Sequence, residues 1–313
     1  MRTAKEHHHG TRRGAGSPEE LMAKVRRLRV LSLRLVDELF AGEYHSAFRG
    51  RGVEFAEVRE YQPGDDVRTI DWNVTARENK PFVKQFDEER ELTIMLAVDL
   101  SASGAFGSAD EAKRERAAEV AAVLALAAAK NGDKTGLLLF TDHAELLVPP
   151  EKGLKHATRI IRDALGFEPH GAGTNLAGAL EELARTLRKK SVVFLFSDFL
   201  DAAHGDGGYE RPLRALASRH DVVAVTVRDP REGRIDRGAM YGVVDLETGR
   251  RRMVDLTSKR ARRAYSLAAV ERDAALARVL AAAGVDRIDI STDGPYIDAL
   301  LRFFTKRERR ARR

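Results

Sequence analysis

Four stretches of this chain are apolar at nearly every position: Thr93-Ile94-Met95-Leu96-Ala97-Val98, Gly136-Leu137-Leu138-Leu139-Phe140, Val192-Val193-Phe194-Leu195-Phe196 and the run from Val222 to Val227. A strand with one face in water alternates apolar and polar residues. A strand that does not alternate must be covered on both faces, as in a parallel sheet flanked by helices. The intervening sequence supplies that cover, with helical patterns at about 110–130, 154–165, 175–189, 209–219, 258–283 and 295–304, and a further strand at 285–290. Strand and helix alternate, which predicts an α/β fold wound on both faces of a mostly parallel sheet. Ala144 to Val148 follows the second run too closely for a crossover helix, so it is expected as an antiparallel edge strand. Residues 239–256, with Glu247-Thr248-Gly249 between two alternating runs, read as a hairpin insertion.

Upstream of this region the texture differs. Residues 1–17, with His7, His8 and His9, lack apolar periodicity and are expected as a mobile arm with a solvated histidine run. Ser17-Pro18-Glu19-Glu20 reads as a cap, a first-turn proline and two acids suited to a helix start. The stripe Leu21, Val25, Leu28, Leu31, Leu35 and Leu39 continues that helix to Gly42. Val53 to Val58 and Phe82 to Phe86 alternate around a Pro63-Gly64 turn, forming a small β arm. The expected division is a mobile arm (1–17), an N-terminal helix and β arm (18–90), a main α/β domain (91–305) and a basic tail (306–313).

Composition narrows the function. With no cysteine in 313 residues, disulfide scaffolds, thiolate metal sites and cysteine nucleophiles are excluded. The net charge of +6 is unevenly spread: residues 1–52 carry 11 Lys+Arg against 6 Asp+Glu, and residues 302–313 carry 7 basic groups against Glu308 alone. The body between them is therefore mildly acidic, which argues against a nucleic-acid-binding face on the folded domain. The segment Lys306 to Arg313 leaves contact with nucleic acid or an anionic membrane surface through the basic ends as an alternative. No stretch approaches the roughly 18 apolar residues of a membrane span, and the expectation is a cytoplasmic protein.

Ligands of open α/β sheets collect beyond the carboxyl ends of the strands. There the sequence places Asp99-Leu100-Ser101-Ala102-Ser103-Gly104 after the first run, Ser197-Asp198-Phe199 after the third, and Gly171-Ala172-Gly173-Thr174-Asn175 before a helix. The donors are carboxylates and hydroxyls, hard oxygens suited to Mg²⁺ or Mn²⁺ rather than zinc or copper. In extended chain, the alternate positions 99, 101 and 103 turn their oxygens the same way.

Asp99, Ser101, Ser103, Thr174 and Asp198 together resemble the metal-ion-dependent adhesion site of von Willebrand factor A domains, a Rossmann-like fold. The resemblance implies that Ser101, Ser103 and Thr174 ligate Mg²⁺ directly while Asp99 and Asp198 act mostly through waters. Neutral direct ligands would favour completion of the ion's shell by a carboxylate from a partner. Further upstream, Ser46-Ala47-Phe48-Arg49-Gly50-Arg51-Gly52-Val53-Glu54-Phe55, the stretch from Arg59 to Asn73 around Tyr61-Gln62-Pro63-Gly64-Asp65-Asp66, Val83-Lys84-Gln85-Phe86 and Glu88-Glu89-Arg90-Glu91 are similar to a narrower bacterial group. These are von Willebrand A-like proteins encoded beside MoxR-type AAA+ ATPases, which implies such an ATPase or its client as partner. The alternating charges around Trp72 are expected to pair as a partly buried network docking the β arm on the main sheet.

An enzyme is the rival reading. Phosphatases that use an aspartyl nucleophile and Mg²⁺ require a second acid two residues on, and here that position is Ser101. Neither serine sits in a Gly-x-Ser-x-Gly elbow, Gly171-x-Gly173 lacks the third glycine of a dinucleotide loop, and no phosphate-binding Gly-Lys loop is present. His143 reads as a surface-turn histidine. The expectation is a non-enzymatic protein-interaction module dependent on Mg²⁺, with a Mg²⁺-dependent phosphatase-like hydrolase as the enzymatic alternative.

Overall fold

Ile94, Met95, Leu96, Ala97 and Val98 are all fully buried, the condition their unbroken apolar run demands. The computed structural model describes residues 18–35, 47–48, 53–78, 80–88, 91–105, 113–200, 208–233, 239–244 and 251–311. In chain order the elements are α1 (Pro18–Leu35), β1 (Val53–Glu60), α2 (Trp72–Glu78), β2 (Phe82–Glu88), β3 (Thr93–Asp99), α3 (Lys113–Lys130), β4 (Lys134–Phe140) and β5 (Ala144–Lys152). There follow α4 (Leu154–Gly166), α5 (Leu176–Thr186), β6 (Val192–Phe196), α6 (Glu210–Ala217), β7 (Asp221–Arg228) and the short α7 (Pro230–Gly233). The chain continues through β8 (Met240–Val244), β9 (Arg251–Asp255), α8 (Lys259–Ala283), β10 (Asp286–Ser291) and α9 (Tyr296–Ala311).

Six strands form the central sheet in the order β10-β7-β6-β3-β4-β5. All neighbours are parallel except β5, which pairs antiparallel with β4 at the edge. Alternate residues of β3 feed two cores. Ile94, Leu96 and Val98 pack with Leu124 of α3, Ile160 of α4 and Phe304 of α9 on one face. Met95 and Ala97 pack with Leu180 of α5, Leu213 of α6 and Leu280 of α8 on the other. The fold is the expected mixed α/β architecture with a mostly parallel sheet.

Two stretches differ from their expected places. Helix α1 is expected to share a unit with the β arm, yet its Val25 joins the main core, and Lys24 pairs with Glu115 of α3 at 3.0 Å. The reason lies in α3, where Val120 to Ala128 are buried without a break. A helix apolar on every side needs an outer cover, and the Leu21–Val25–Leu28 stripe supplies it. The approach is close enough that a Cβ on Gly166 would lie 2.5 Å from Leu21 Cδ2. The rest of the predicted helix, to Gly42, lies outside the described residues, as does the predicted arm 1–17.

The basic tail expected at 306–313 is in large part helix, since α9 runs on to Ala311. Arg307 is largely buried there: it donates to Asp221 Oδ1 and Oδ2 at 2.7 and 2.8 Å, approaches Asp286 at 3.1 Å, and lies 4.9 Å over the Phe48 ring. Three carboxylate contacts and an aromatic face outweigh the hydration that a solvated tail would keep.

The β arm forms as a separate two-stranded antiparallel sheet of β1 and β2, and β8 pairs with β9 as the hairpin insertion; the turn at 245–250 lies outside the described residues. Among the described residues the arm's charges do not form the buried docking network expected of them; Arg49, Arg51 and the Glu54 side chain lie outside the described residues. Arg59 holds Asp65 through two bonds of 2.7 and 2.8 Å, and Lys80 pairs with Glu60 at 3.2 Å, both within the arm. Asp66 and Asp71 accept bonds from Arg68 N and Asn73 N and so shape local turns. Trp72 is 70% exposed. Among the described residues no helix is long and apolar enough to cross a membrane.

Candidate metal centre

The strand order reverses direction about β3: the chain moves to β4 on one side, then returns to β6 on the other. A crevice opens at such a switch point beyond the carboxyl ends of the strands. Asp99 is the last residue of β3, and Ser197 and Asp198 directly follow β6. The parallel register therefore delivers both carboxylates to one rim.

Local hydrogen bonds then shape the loop after β3. Asp99 Oδ1 accepts from Ser101 N at 2.9 Å, an Asx-type turn that folds the chain back over its own carboxylate. The Ser101 and Ser103 hydroxyls come to 3.0 Å from one another. Asp99 Oδ2 accepts from the Ser197 hydroxyl at 2.8 Å, and Ser197 Oγ accepts from Phe199 N at 3.0 Å. Phe199 adopts φ 59, a left-handed conformation costly for a bulky residue. Its buried ring packs against Tyr209 with centroids 6.0 Å apart, holding the turn that carries Asp198.

Thr174 is buried and sits on a loop fastened to the loop after β3, where Ala102 N donates to Ala172 O at 2.9 Å. On its other side, Asn175 N donates to Thr141 O at 2.9 Å and the Asn175 side chain caps α5 by accepting from Gly178 N at 2.8 Å. Glu145, with a side chain 2% exposed, organises the start of the loop. It accepts from Gly171 N at 2.8 Å, His170 N at 2.9 Å and Thr141 Oγ at 2.8 Å. The fit at Gly171 admits no side chain: a Cβ there would lie 2.2 Å from Asp142 Oδ1 and 2.3 Å from Thr141 Oγ1. His143 is an exposed turn residue beside Asp142, at 2.6 Å.

Three groups without an assigned role in the sequence complete the rim. Ser197 orients Asp99, as described. Lys113 donates from Nζ to Asp198 Oδ2 at 2.9 Å and to Glu232 Oε1 at 2.6 Å. Lys113 and Glu232 lie in charged stretches with no distinguishing spacing, and only the fold carries them to Asp198.

The electrostatics follow from burial. Asp99 is pushed up to about 7, first by burial and then by the nearby Asp198 charge, against the opposing hydrogen bonds of Ser101 and Ser197. Burial would also raise Glu145, but the donors from Gly171, Thr141 and His170 prevail and bring it down to about 2. Burial lowers the Lys113 ammonium, and Asp198 and Glu232 more than reverse that, holding it charged.

These donors fit a hard divalent cation. Adjacent ligands of an octahedral Mg²⁺ with bonds of about 2.0–2.1 Å stand about 2.9 Å apart, and the two serine hydroxyls are 3.0 Å apart. The mutual repulsion of Asp99 and Asp198 is what a cation beside them would relieve. Among the described residues no group of three or more His, Cys, Asp or Glu side chains gathers for a metal, so an ion here depends on the hydroxyls.

An uncharacterized protein of Mycobacterium tuberculosis is 34% identical over 301 residues, covering 96% of this chain and 93% of its own. Among solved structures, a conserved hypothetical protein BatB from Bacteroides thetaiotaomicron aligns at TM-score 0.44 and 15% identity over 70% of this chain and 99% of its own. A von Willebrand factor type A structure from Catenulispora acidiphila aligns at 0.42 and 13% over 72% of this chain and 43% of its own. Proximal thread matrix protein 1 from the mussel byssus, with a zinc-occupied MIDAS motif, aligns at 0.36 and 17% over 44% of this chain and 38% of its own. Residues 57–275 match the family described as "Protein of unknown function DUF58", and to that family this chain belongs.

Proposed function

We propose that this protein is a non-enzymatic interaction module in which Ser101, Ser103 and Thr174 hold Mg²⁺ or Mn²⁺ beside Asp99 and Asp198, and that it binds an acidic side chain of a protein partner through that ion. The observation that carries the reading is the 3.0 Å separation of the Ser101 and Ser103 hydroxyls, beside two carboxylates at one sheet rim. When bound, the ion supplies an electrophilic coordination position for a partner's carboxylate. The chain's own residues do the positioning. Asp99 clamps Ser101 through its backbone and is itself held by Ser197, so the backbone that carries Ser101 is positioned before any ligand arrives.

Phosphoryl transfer is a weaker reading. Ser101 stands two residues after Asp99, where an aspartyl-nucleophile phosphatase requires a general acid. The resemblance of residues 46–108 to proteins encoded beside MoxR-type AAA+ ATPases supports such an ATPase, or a client it remodels, as the partner.

The test is recovery of a purified MoxR-type ATPase on immobilised protein, with Mg²⁺ or with EDTA, using wild type and Asp99→Ala. Recovery only for wild type in Mg²⁺ supports the reading. Equal recovery in all arms removes the ion from the interaction, and phosphatase turnover lost in Asp99→Asn would replace this function with hydrolysis.

A further inference from the structure

Lys113 is a buried cation that the ion-site reading leaves unused. It opens α3 with a side chain only 5% exposed, against 8% for Asp198 and 29% for Glu232. An ammonium is held away from water at a profit only where carboxylates and hydrogen bonds replace its hydration. Here those carboxylates come from two further places at the rim, the turn after β6 and the short α7 after β7. A lysine serving packing alone has no need of an ion-site carboxylate, yet Lys113 takes Asp198.

Resting on the function proposed above, we infer that Lys113 is a tethered monovalent cation that shares Asp198 with the divalent ion and thereby sets how tightly the site binds it. Asp198 Oδ1 accepts from Leu200 N at 3.1 Å and Oδ2 from Lys113 Nζ at 2.9 Å. Each oxygen therefore has one acceptor direction already committed, and the negative charge offered to an ion is partly neutralised. Glu232 acts in the opposite sense. At 2.6 Å it competes with Asp198 for the same ammonium, and its own charge adds to the attraction felt by a cation at the rim. Lys113 thus weakens divalent binding and Glu232 strengthens it. A site tempered in this way is partly compensated when empty and depends on a partner's carboxylate for tight retention of its ion.

The experiment titrates the full chain with Mn²⁺, reading free Mn²⁺ by electron paramagnetic resonance, with thermal melts in parallel. The variants are Lys113→Met and Glu232→Gln, each with and without Ser101→Ala. Lys113→Met is expected to bind at least about tenfold more tightly, because a unit charge a few ångströms away is removed. Glu232→Gln is expected to bind more weakly, and Ser101→Ala to reduce binding in every background. If wild type binds in a Ser101-dependent way but Lys113→Met binds no more tightly, the lysine is structural and this inference falls while the ion site stands. If Ser101→Ala changes nothing in any background, the ion-site reading fails and this inference with it. Should Lys113→Met not fold, Glu232→Gln decides: weaker binding upholds the opposing roles, and unchanged or tighter binding overturns them.

Discussion

The rim of the sheet and the β arm are built from similar residues and treat them in opposite ways. At the rim, Asp99, Lys113, Asp198 and Glu145 are withdrawn from water, and each is held by partners drawn from other elements. In the arm, Arg59, Asp65, Glu60 and Lys80 pair locally at the surface, and the large aromatic Trp72 faces solvent. A buried charge with a partner removed leaves an uncompensated group, whereas an exposed pair exchanges its partner for water. The rim therefore stakes stability on an exact arrangement, while the arm keeps its side chains available at little structural cost.

This contrast can be broken experimentally. The largest expected effect is Glu145→Leu, which strands the N–H groups of His170 and Gly171 and the Thr141 hydroxyl. A loss of about 3 kcal/mol is expected in urea unfolding, together with loss of Mn²⁺ binding as the Thr174 loop loosens. Gly171→Ala places a methyl against Thr141 and Asp142 and should cost about 1–3 kcal/mol, with the same consequence for the ion. If either variant binds Mn²⁺ like wild type, the loop is not positioned as described.

Asp133, at the opposite end of the sheet, separates burial from function. It accepts from Leu92 N at 2.9 Å, but its other oxygen is buried without a hydrogen-bond partner among the described residues. Burial pushes it up to about 6 from its ordinary 3.8. The folded chain holds that proton more tightly than the unfolded chain, so stability is greatest below this window and falls as pH rises through it. Asp133→Asn should therefore raise the urea midpoint at pH 7.5 and flatten the decline between about pH 4 and pH 7, with Mn²⁺ binding unchanged. A decline of the same size in the variant would assign the pH dependence elsewhere.

The arm should yield the smallest effects on stability. Trp72→Ala is expected to shift unfolding by less than about 0.5 kcal/mol, and a large loss of stability would place the arm with the structural core. Arg59→Gln should leave the melting temperature within error at moderate salt, where an exposed pair is screened.

Much of this organisation was legible before any coordinates. The unbroken apolar runs announced strands covered on both faces, and the closeness of Ala144 to the second run gave the antiparallel edge. Asp99, Ser101, Ser103, Thr174 and Asp198 stood out because each follows a buried strand or precedes a helix, places where an open α/β sheet presents side chains. Less could be read from charge. The arm's alternating signs suggest a buried network, whereas among the described residues they form local surface pairs, since a linear pattern of charges does not say which face meets water. The run at 306–313 reads as a solvated tail, whereas Arg307 is largely buried between Asp221, Asp286 and Phe48.

Local order thus carried the strands, the helices and the oxygen-bearing turns, because hydrophobic period and turn chemistry act over a few residues. The tertiary structure alone decided which charges are buried and what neutralises them. Lys113 meets Asp198 across 85 positions of sequence and Glu232 across 119. Interactions of that kind depend on distance through a low-dielectric interior, a quantity that exists only once the chain has folded.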